Sequence, residues 1–336
     1  MVAMRLLVLG GTEFVGRAVA DAAPARGWQV TVFHRGRHDP PAGAVSLLGD
    51  RADSDGLAAL GIGAWDVVVD TWAGAPTAVR DSARLLAGRA GHYVYVSSRS
   101  VYAHPAPAGL TEAAPAVDGS PDAGEVAYPQ AKRGGELAAT GAFGDRALLV
   151  RAGLILGPRE NVGRLPWWLT RIARGGPVLA PGPRELPLQY IDVRDLADWI
   201  LGAVDRGLGG PYNLVGPPGH TTMRDLLDTC VRVTGAPAEL CWAEPDTILA
   251  AGIQPWNDLP LWLPPGDLHA ALHGTDVTKA LATGLRCRPV AETVADTWTW
   301  LRSLSGRPPL RTDRAPVGLA PEKEAEILRS LGRHAD

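Results

Sequence analysis

The sequence predicts an α/β protein, a doubly wound parallel sheet followed by a smaller, mixed α/β C-terminal domain. Three observations carry that prediction. Short apolar runs alternate with helical stretches through the first half, the rhythm of a parallel sheet. A glycine turn joins the first run to the first helix. The second half breaks that rhythm with Gly- and Pro-rich stretches and clustered Trp, as a separate unit would.

Residues 5–9 (RLLVL) are a continuous apolar run, which suits a strand buried on both faces. Gly10, Gly11, Thr12, Glu13, Phe14, Val15 and Gly16 follow, then a helical stretch over 17–26. Strand, glycine turn and helix in that order form a site for a pyrophosphate, which the free N–H groups and positive dipole end of the helix attract. Gly10 and Gly11 allow the tight turn, and Gly16 lets the helix pack closely on the strand. Glu13 is discordant, because a carboxylate beside a pyrophosphate is unfavourable unless its side chain points away. The plainer alternative is an ordinary strand–helix turn.

Residues 29–33 (QVTVF) read as the second strand, which ends in His34, Arg35, Gly36 and Arg37. An acid here would bind the adenosine ribose hydroxyls, whereas Arg suits a 2′-phosphate. His34 takes the acid's place, with Arg35 and Arg37 after it, which favours NADP(H) over NAD(H). A solvated basic loop is the alternative. Residues 44–48 form a third strand, and Asp50 beyond it either reaches an adenine amino group or is an exposed loop aspartate. The fourth strand, 65–70 (WDVVVD), runs into Thr71 and Trp72, candidates to lie beside the nicotinamide ribose. A helix over 78–90 leads to a fifth strand over 92–96, with Ser97, Ser98 and Arg99 at its end. Ligands of open α/β sheets bind outside the carboxyl ends of the strands, so this is where a substrate contact is wanted.

Tyr128 and Lys132 stand four residues apart, with Pro129 suited to a first helical turn. On a helix they share a face. An ammonium beside a phenol favours the phenolate, so the pair can give a proton to a carbonyl oxygen or take one from an alcohol. The spacing alone is common. It becomes informative after a glycine turn and strand-end serines in the same chain order.

Composition narrows the classes. Of 336 residues 46% are apolar and 21% charged, as in an ordinary soluble globular protein. A net charge of −3 gives no pull towards nucleic acid or anionic membrane. Cys230, Cys241 and Cys287 are odd in number and lack metal-ligand spacing, so reduced thiols and a cytoplasmic location are expected, with no metal. The sequence shows no signal-peptide pattern and no apolar run of the ~18–20 residues a membrane span needs. The expected partner is a small-molecule substrate. A homodimer is left open.

These motifs resemble the extended or atypical short-chain dehydrogenase/reductases, in particular their NAD-dependent epimerase/dehydratase family. Residues 10–16 (GGTEFVG) stand for the family's GGTGFIG, and 96–102 (VSSRSVY) for its SSxxVYG. Tyr128, Lys132 and Glu136 match Y-x-x-x-K-x-x-x-E, and 151–159 and 189–197 extend the likeness, which runs from about residue 4 to 302. The resemblance implies a Rossmann-like domain over 1–155, to which 188–205 returns, and a substrate domain mainly over 156–305. It implies Ser98 in the Ser/Thr role, three residues before Val101 and Tyr102, with Ser97 as runner-up. Tyr128 would be the acid/base, and Lys132 its partner and a ligand of the nicotinamide ribose. Arg99 and Ser100 replace the Asp-Glu pair of the 4,6-dehydratases, which argues against that elimination. The basic end of the second strand leans towards net reduction. The expected activity is NAD(P)H-dependent reduction of a ketone, or oxidation of the alcohol, on a hydroxylated or polycyclic small molecule. The alternatives are a nucleotide-sugar epimerase holding NAD tightly and a non-catalytic dinucleotide-binding sensor.

In the second half, 145–151 and 211–215 read as strands, and 166–173, 192–204, 222–234, 277–282 and 290–304 as helices. Thr221 or Thr222 is the expected N-cap of the third of these. Residues 175–187 read as a loop on the substrate pocket, and 242–273 as a proline-pinned loop. Trp256 and Trp262 there, like Trp167, either meet substrate or bury themselves. His269 and His273 are expected to be structural or exposed. The tail, 306–336, holds a short charged helix over 321–328 that docks on its own subunit or on a partner.

Overall fold

The structure, a computed structural model, describes residues 3–53 and 55–332. Met1, Val2 and the last four residues of the expected tail lie outside the described residues. The first half comprises β1 (Arg5–Leu9), α1 (Phe14–Ala22), β2 (Gln29–His34), β3 (Val45–Leu48), β4 (Trp65–Asp70), α2 (Pro76–Leu86), β5 (Ala90–Ser98), α3 (Tyr128–Phe143) and β6 (Ala147–Ala152). The second half begins with β7 (Leu154–Leu156), α4 (Arg164–Ile172), β8 (Gly176–Pro181), β9 (Pro187–Leu188), β10 (Tyr190–Asp192), α5 (Val193–Asp205) and β11 (Gly210–Leu214). It continues with β12 (Thr221–Thr222), α6 (Met223–Thr234), β13 (Ala238–Ala243), α7 (Pro245–Ala250), α8 (Asp267–His273), α9 (Thr278–Ala282), α10 (Val290–Ser303) and α11 (Pro321–Ser330).

The predicted doubly wound sheet is present. Seven parallel strands lie in the order β3-β2-β1-β4-β5-β6-β11. The unbroken apolar run of β1 follows from cover on both faces. Leu6 and Val8 join the core with Val19, Leu196 and Ile200 of α1 and α5, while Leu7 and Leu9 join that of Val79, Leu86 and Phe143 of α2 and α3. The strand order reverses between β1 and β4, so a crevice opens at their carboxyl ends.

A third core joins α4, α6, α10 and α11 to β8 and β13, around Trp168, Leu227, Val294 and Ile327. Thr222 caps α6 in a reciprocal capping box with Asp225. The tail helix docks on its own chain: Ile327 and Leu328 are buried, and Glu324 accepts the Leu179 N–H at 3.1 Å and pairs with Arg171.

Two expectations are corrected. Residues 176–181 form a strand paired in parallel with β13, because Pro177 and Pro181 are tolerated in a sheet of only two strands, where every strand is an edge. The stretch 242–273 holds the end of β13 and helices α7 and α8 between its prolines, so it is not loop throughout. Among the described residues no helix is long and apolar enough to cross a membrane.

Candidate active site

The glycine turn is tight because its neighbours leave no room for side chains. Gly10 has φ +91°, and a Cβ there would lie 2.6 Å from Thr71 Oγ1. A Cβ on Gly16 would lie 2.2 Å from the Gly10 carbonyl oxygen. With Gly11, Thr12, Phe14 and Val15 they set the start of α1 directly against the end of β1, a geometry that fits a pyrophosphate at the helix N-terminus. Glu13 makes no capping bond; its carboxylate lies 3.5 Å from His38 Nε2.

At the end of β2 the structure corrects one assignment. His34 is buried, its Nδ1 accepts the Gly36 N–H at 3.2 Å, and its Nε2 lies 2.7 Å from Ser46 Oγ. Burial lowers its pKa. With both ring nitrogens engaged, it is a fixed neutral brace between β2 and β3 and not a free ribose ligand. Arg35 and Arg37 are exposed, and among the described residues neither pairs with a carboxylate. Asp50 accepts the Ala52 N–H at 3.1 Å through Oδ1, closing its own turn.

Between β4 and α2, Thr71 donates to the Leu9 carbonyl at 3.0 Å, and the Trp72 indole donates to Ala75 O at 3.0 Å. Beneath them lies a pair that the motifs did not reveal. Arg51 binds buried Asp70 through two hydrogen bonds of 2.6 and 2.7 Å, and its guanidinium stacks 5.1 Å from the Trp72 ring centroid.

Lys132 is buried, and its ammonium donates to the carbonyls of Trp72 and Val96, both at 2.6 Å. An ammonium has three donors, so one remains for a ligand. Burial lowers its pKa to about 7. Tyr128 opens α3 with its ring partly exposed; Lys132 Nζ is 6.0 Å from the ring centroid. Ser98, the last residue of β5, accepts the Ser100 N–H at 3.1 Å and lies 3.1 Å from Ser100 Oγ. Ser97, one step earlier, donates to Glu136 Oε1 at 2.8 Å within a buried cluster that includes Arg151. Successive strand residues point to opposite faces. Ser97 also lines the cavity, but its hydroxyl is engaged with Glu136, so Ser98 is the better placed serine for a substrate contact.

Ser98, Tyr128 and Lys132 line one wall of a cavity of about 400 Å³. Arg99, Trp256 and His273 line the same cavity. Arg99 is only 9% exposed and donates to Gln189 Oε1 at 3.0 Å, to the Leu272 carbonyl at 2.6 Å and to Thr275 Oγ1. Burial lowers its pKa to about 10, which leaves it charged at neutral pH. Arg164 and Arg314 add further positive charge, whereas Arg311 is paired in a fork with Asp313; among the described lining residues there is no Asp or Glu.

The tryptophans separate. Trp256 lines the cavity, with the Arg164 guanidinium 5.3 Å from its ring centroid. Trp262 is fully buried and donates to the Gly182 carbonyl at 2.9 Å, so it contacts no substrate. Trp167 stacks edge-on against Trp168 and packs where a side chain on Gly318 would stand, away from the cavity. Both are corrected, and in both the demand for apolar cover outweighs access. His269 Nε2 lies 2.9 Å from the Pro187 carbonyl, and His273 Nδ1 accepts the Gln189 N–H at 2.9 Å. Both are buried, yet His273 also reaches the cavity. Nothing in the tail's composition pointed to its place. Arg311 N–H donates to Asn161 O at 2.9 Å and Gly318 N–H to Asn257 O at 2.7 Å, so 311–318 straps over the cavity and carries Arg311 and Arg314 to its lining.

The sheet, the glycine cradle and the strand-end cavity define an α/β protein of the Rossmann-like class. The sequence model of the NAD dependent epimerase/dehydratase family matches residues 6–215, and the chain belongs to that family. Several solved structures share the fold. The Bordetella bronchiseptica enzyme WbmH in complex with NAD+ is 19% identical with a TM-score of 0.66, over 90% of this chain and 100% of that one. UDP-glucose 4-epimerase from Thermotoga maritima, with UDP-glucose, is 20% identical with a TM-score of 0.64, over 89% and 99%. UDP-glucuronic acid 4-epimerase from Bacillus cereus, in complex with NAD, is 15% identical with a TM-score of 0.62, over 90% and 100%. A comparison with curated protein sequences finds no match.

Proposed function

We propose that this protein is an epimerase of nucleotide-linked sugars, which oxidises a ring alcohol to the ketone and returns the hydrogen to the opposite face. The observation that carries this reading is the cavity itself: Ser98, Tyr128 and Lys132 on one wall, a cationic lining without carboxylates, and a tail strapped over it. Family membership and the nucleotide-sugar epimerases among the structural neighbours support it over the net ketone reduction to which the basic end of β2 leans.

The glycine cradle fits a nicotinamide dinucleotide, whose nicotinamide, when bound, accepts and returns the hydride. The chain's own residues handle the proton. Tyr128 takes the proton of the substrate hydroxyl as the carbon is oxidised and gives it back to the ketone oxygen on the return. Lys132 stabilises the phenolate between those steps and uses its remaining N–H to hold the nicotinamide ribose. Ser98 donates to the same substrate oxygen, its orientation set by Ser100. The strap hinders escape of the ketone while the ring turns over. Arg164 and Arg314 supply charge for a diphosphate.

A second reading keeps one specific observation. Arg35 and Arg37 are exposed, and among the described residues no carboxylate pairs with them, which favours NADPH and net reduction. Incubation with UDP-glucose or UDP-glucuronic acid and catalytic cofactor separates the two. The proposal expects an epimer with no net change in the absorbance of reduced cofactor. Consumption of NADPH matched one-for-one by an alcohol product would replace it with the reductase.

A further inference from the structure

We propose that Arg99 and His273 form a carboxylate subsite in the cavity, so that the substrate is a uronate-type sugar bearing a carboxylate near the reacting carbon; this rests on the epimerase reading for its chemistry but not for its binding.

Two independent observations meet here. The first is a buried charge without a counter-charge. Among the described residues no carboxylate lies within ion-pair distance of Arg99, and its partners are neutral oxygens of Gln189, Leu272 and Thr275. A buried guanidinium without a counter-charge is unfavourable, so an uncompensated one on a cavity wall fits an anion that arrives with the substrate. The second is an orphan donor. His273 is 3% exposed, its Nδ1 accepts the Gln189 N–H, and Nε2 has no hydrogen-bond partner. Because Nδ1 is an acceptor, the proton sits on Nε2, where a ligand oxygen would satisfy it. Burial first, then the neighbouring His269 and Arg99, hold His273 neutral, with a pKa of about 3. His273 follows Leu272, whose carbonyl binds Arg99, so the two donors lie side by side on the same wall.

The charge count selects a carboxylate over a phosphate monoester. The subsite offers one cation and one neutral N–H, which match a monoanion with two acceptor oxygens. A dianion would leave excess negative charge in a buried place. Arg99 directly follows Ser98, so the carboxylate would lie close to the carbon whose oxygen Ser98 holds.

The test uses free sugars with the full chain, so that it does not depend on turnover. Sodium glucuronate, glucose and glucose 6-phosphate are titrated into protein labelled with nitrogen-15 at histidine. The His273 Nε2–H signal is identified by its loss in His273→Gln. We expect glucuronate to shift that signal and to bind at least about tenfold tighter than glucose, as charge-assisted bonds allow. We expect Arg99→Gln to bring the ratio close to one. Should Arg99→Gln fail to fold, Arg99→Lys, which keeps the charge but loses the fork, is expected to cut the ratio several-fold. Equal binding of glucuronate and glucose, an unshifted His273 signal, or a preference that survives in a folded Arg99→Gln protein would overturn the subsite. Tighter binding of glucose 6-phosphate would overturn the carboxylate assignment. Glucuronate preference without epimerisation of UDP-glucuronic acid would sink the epimerase reading and leave the subsite standing.

Discussion

The two walls of the cavity are built in opposite ways. The sheet-side wall takes Thr71, Ser98, Tyr128 and Lys132 from two strand ends and the first turns of one helix, all within one stretch of the α/β repeat. The rest of the lining, here called the facing wall, draws on Arg99, Asn161, Arg164, Gln189, Trp256 and the 271–275 segment, and the tail adds Arg311 and Arg314. Each sheet-side residue is placed by the local geometry of a strand end or of a helix's first turns. Each facing residue is placed by packing particular to this chain. The comparison teaches that the machinery for moving a proton is a property of the repeat, while the choice of substrate belongs to tertiary assembly.

The largest expected effect lies on the sheet side. Tyr128→Phe removes the proton carrier and should lower kcat by about 10²–10⁴-fold with the fold retained, as its ring is partly exposed. Turnover at the parent rate would show that the two walls do not divide the work as described.

Lys132→Met comes next, and pH separates its two roles. The Lys132 ammonium must be charged to stabilise the phenolate, so its contribution to kcat should fade as pH rises through its pKa, which is about 7 in the free protein. For stability the sign is the reverse. The folded pKa is depressed to about 7 against about 10.4 in the unfolded chain, so the unfolded state binds more protons between those values. The stability of the parent protein relative to Lys132→Met should therefore rise with pH across that window and be flat below about 7. Denaturant melts at stepped pH measure this, and a relative stability that falls across the window would contradict the buried, depressed lysine.

The facing wall yields a sharper contrast between two tryptophans. Trp256→Ala should raise KM by about tenfold with little loss of stability, since it lines the cavity. Trp262→Phe should cost about 1–3 kcal/mol of stability and leave KM unchanged, since it is buried with its indole bound to Gly182. A KM effect at Trp262 would merge the two. The smallest effect is expected outside both walls. Arg35→Ala with Arg37→Ala should weaken NADP(H) binding about tenfold and leave NAD(H) binding unchanged, as removal of a phosphate contact would. Equal losses for both cofactors would remove the observation that keeps the reductase reading in play.

The same division explains what could be read in advance. The glycine turn was legible because Gly10 and Gly16 answer a steric demand visible in the chain itself. Tyr128 and Lys132 were legible because helical spacing is a local rule. His34 misled because its role depends on Ser46 of the neighbouring strand, and the bond that engages the Ser97 hydroxyl goes to Glu136, 39 residues away. Asp195 pairs with Arg288, 93 residues away, a contact that no local spacing announces. The tail shows the same limit: a charged helix says that it docks, but only the core left open by α4 and β8 says where.

Transfer and return of one hydrogen within a single bound substrate is the central claim, and isotopic label tests it most directly. UDP-glucose or UDP-glucuronic acid carrying deuterium on the carbon to be inverted is turned over with an excess of unlabelled cofactor. The account predicts an epimer that keeps its deuterium on that same carbon, with no label in the free cofactor. Deuterium accumulating in the free cofactor pool, with a ketone or a reduced product released, would contradict it.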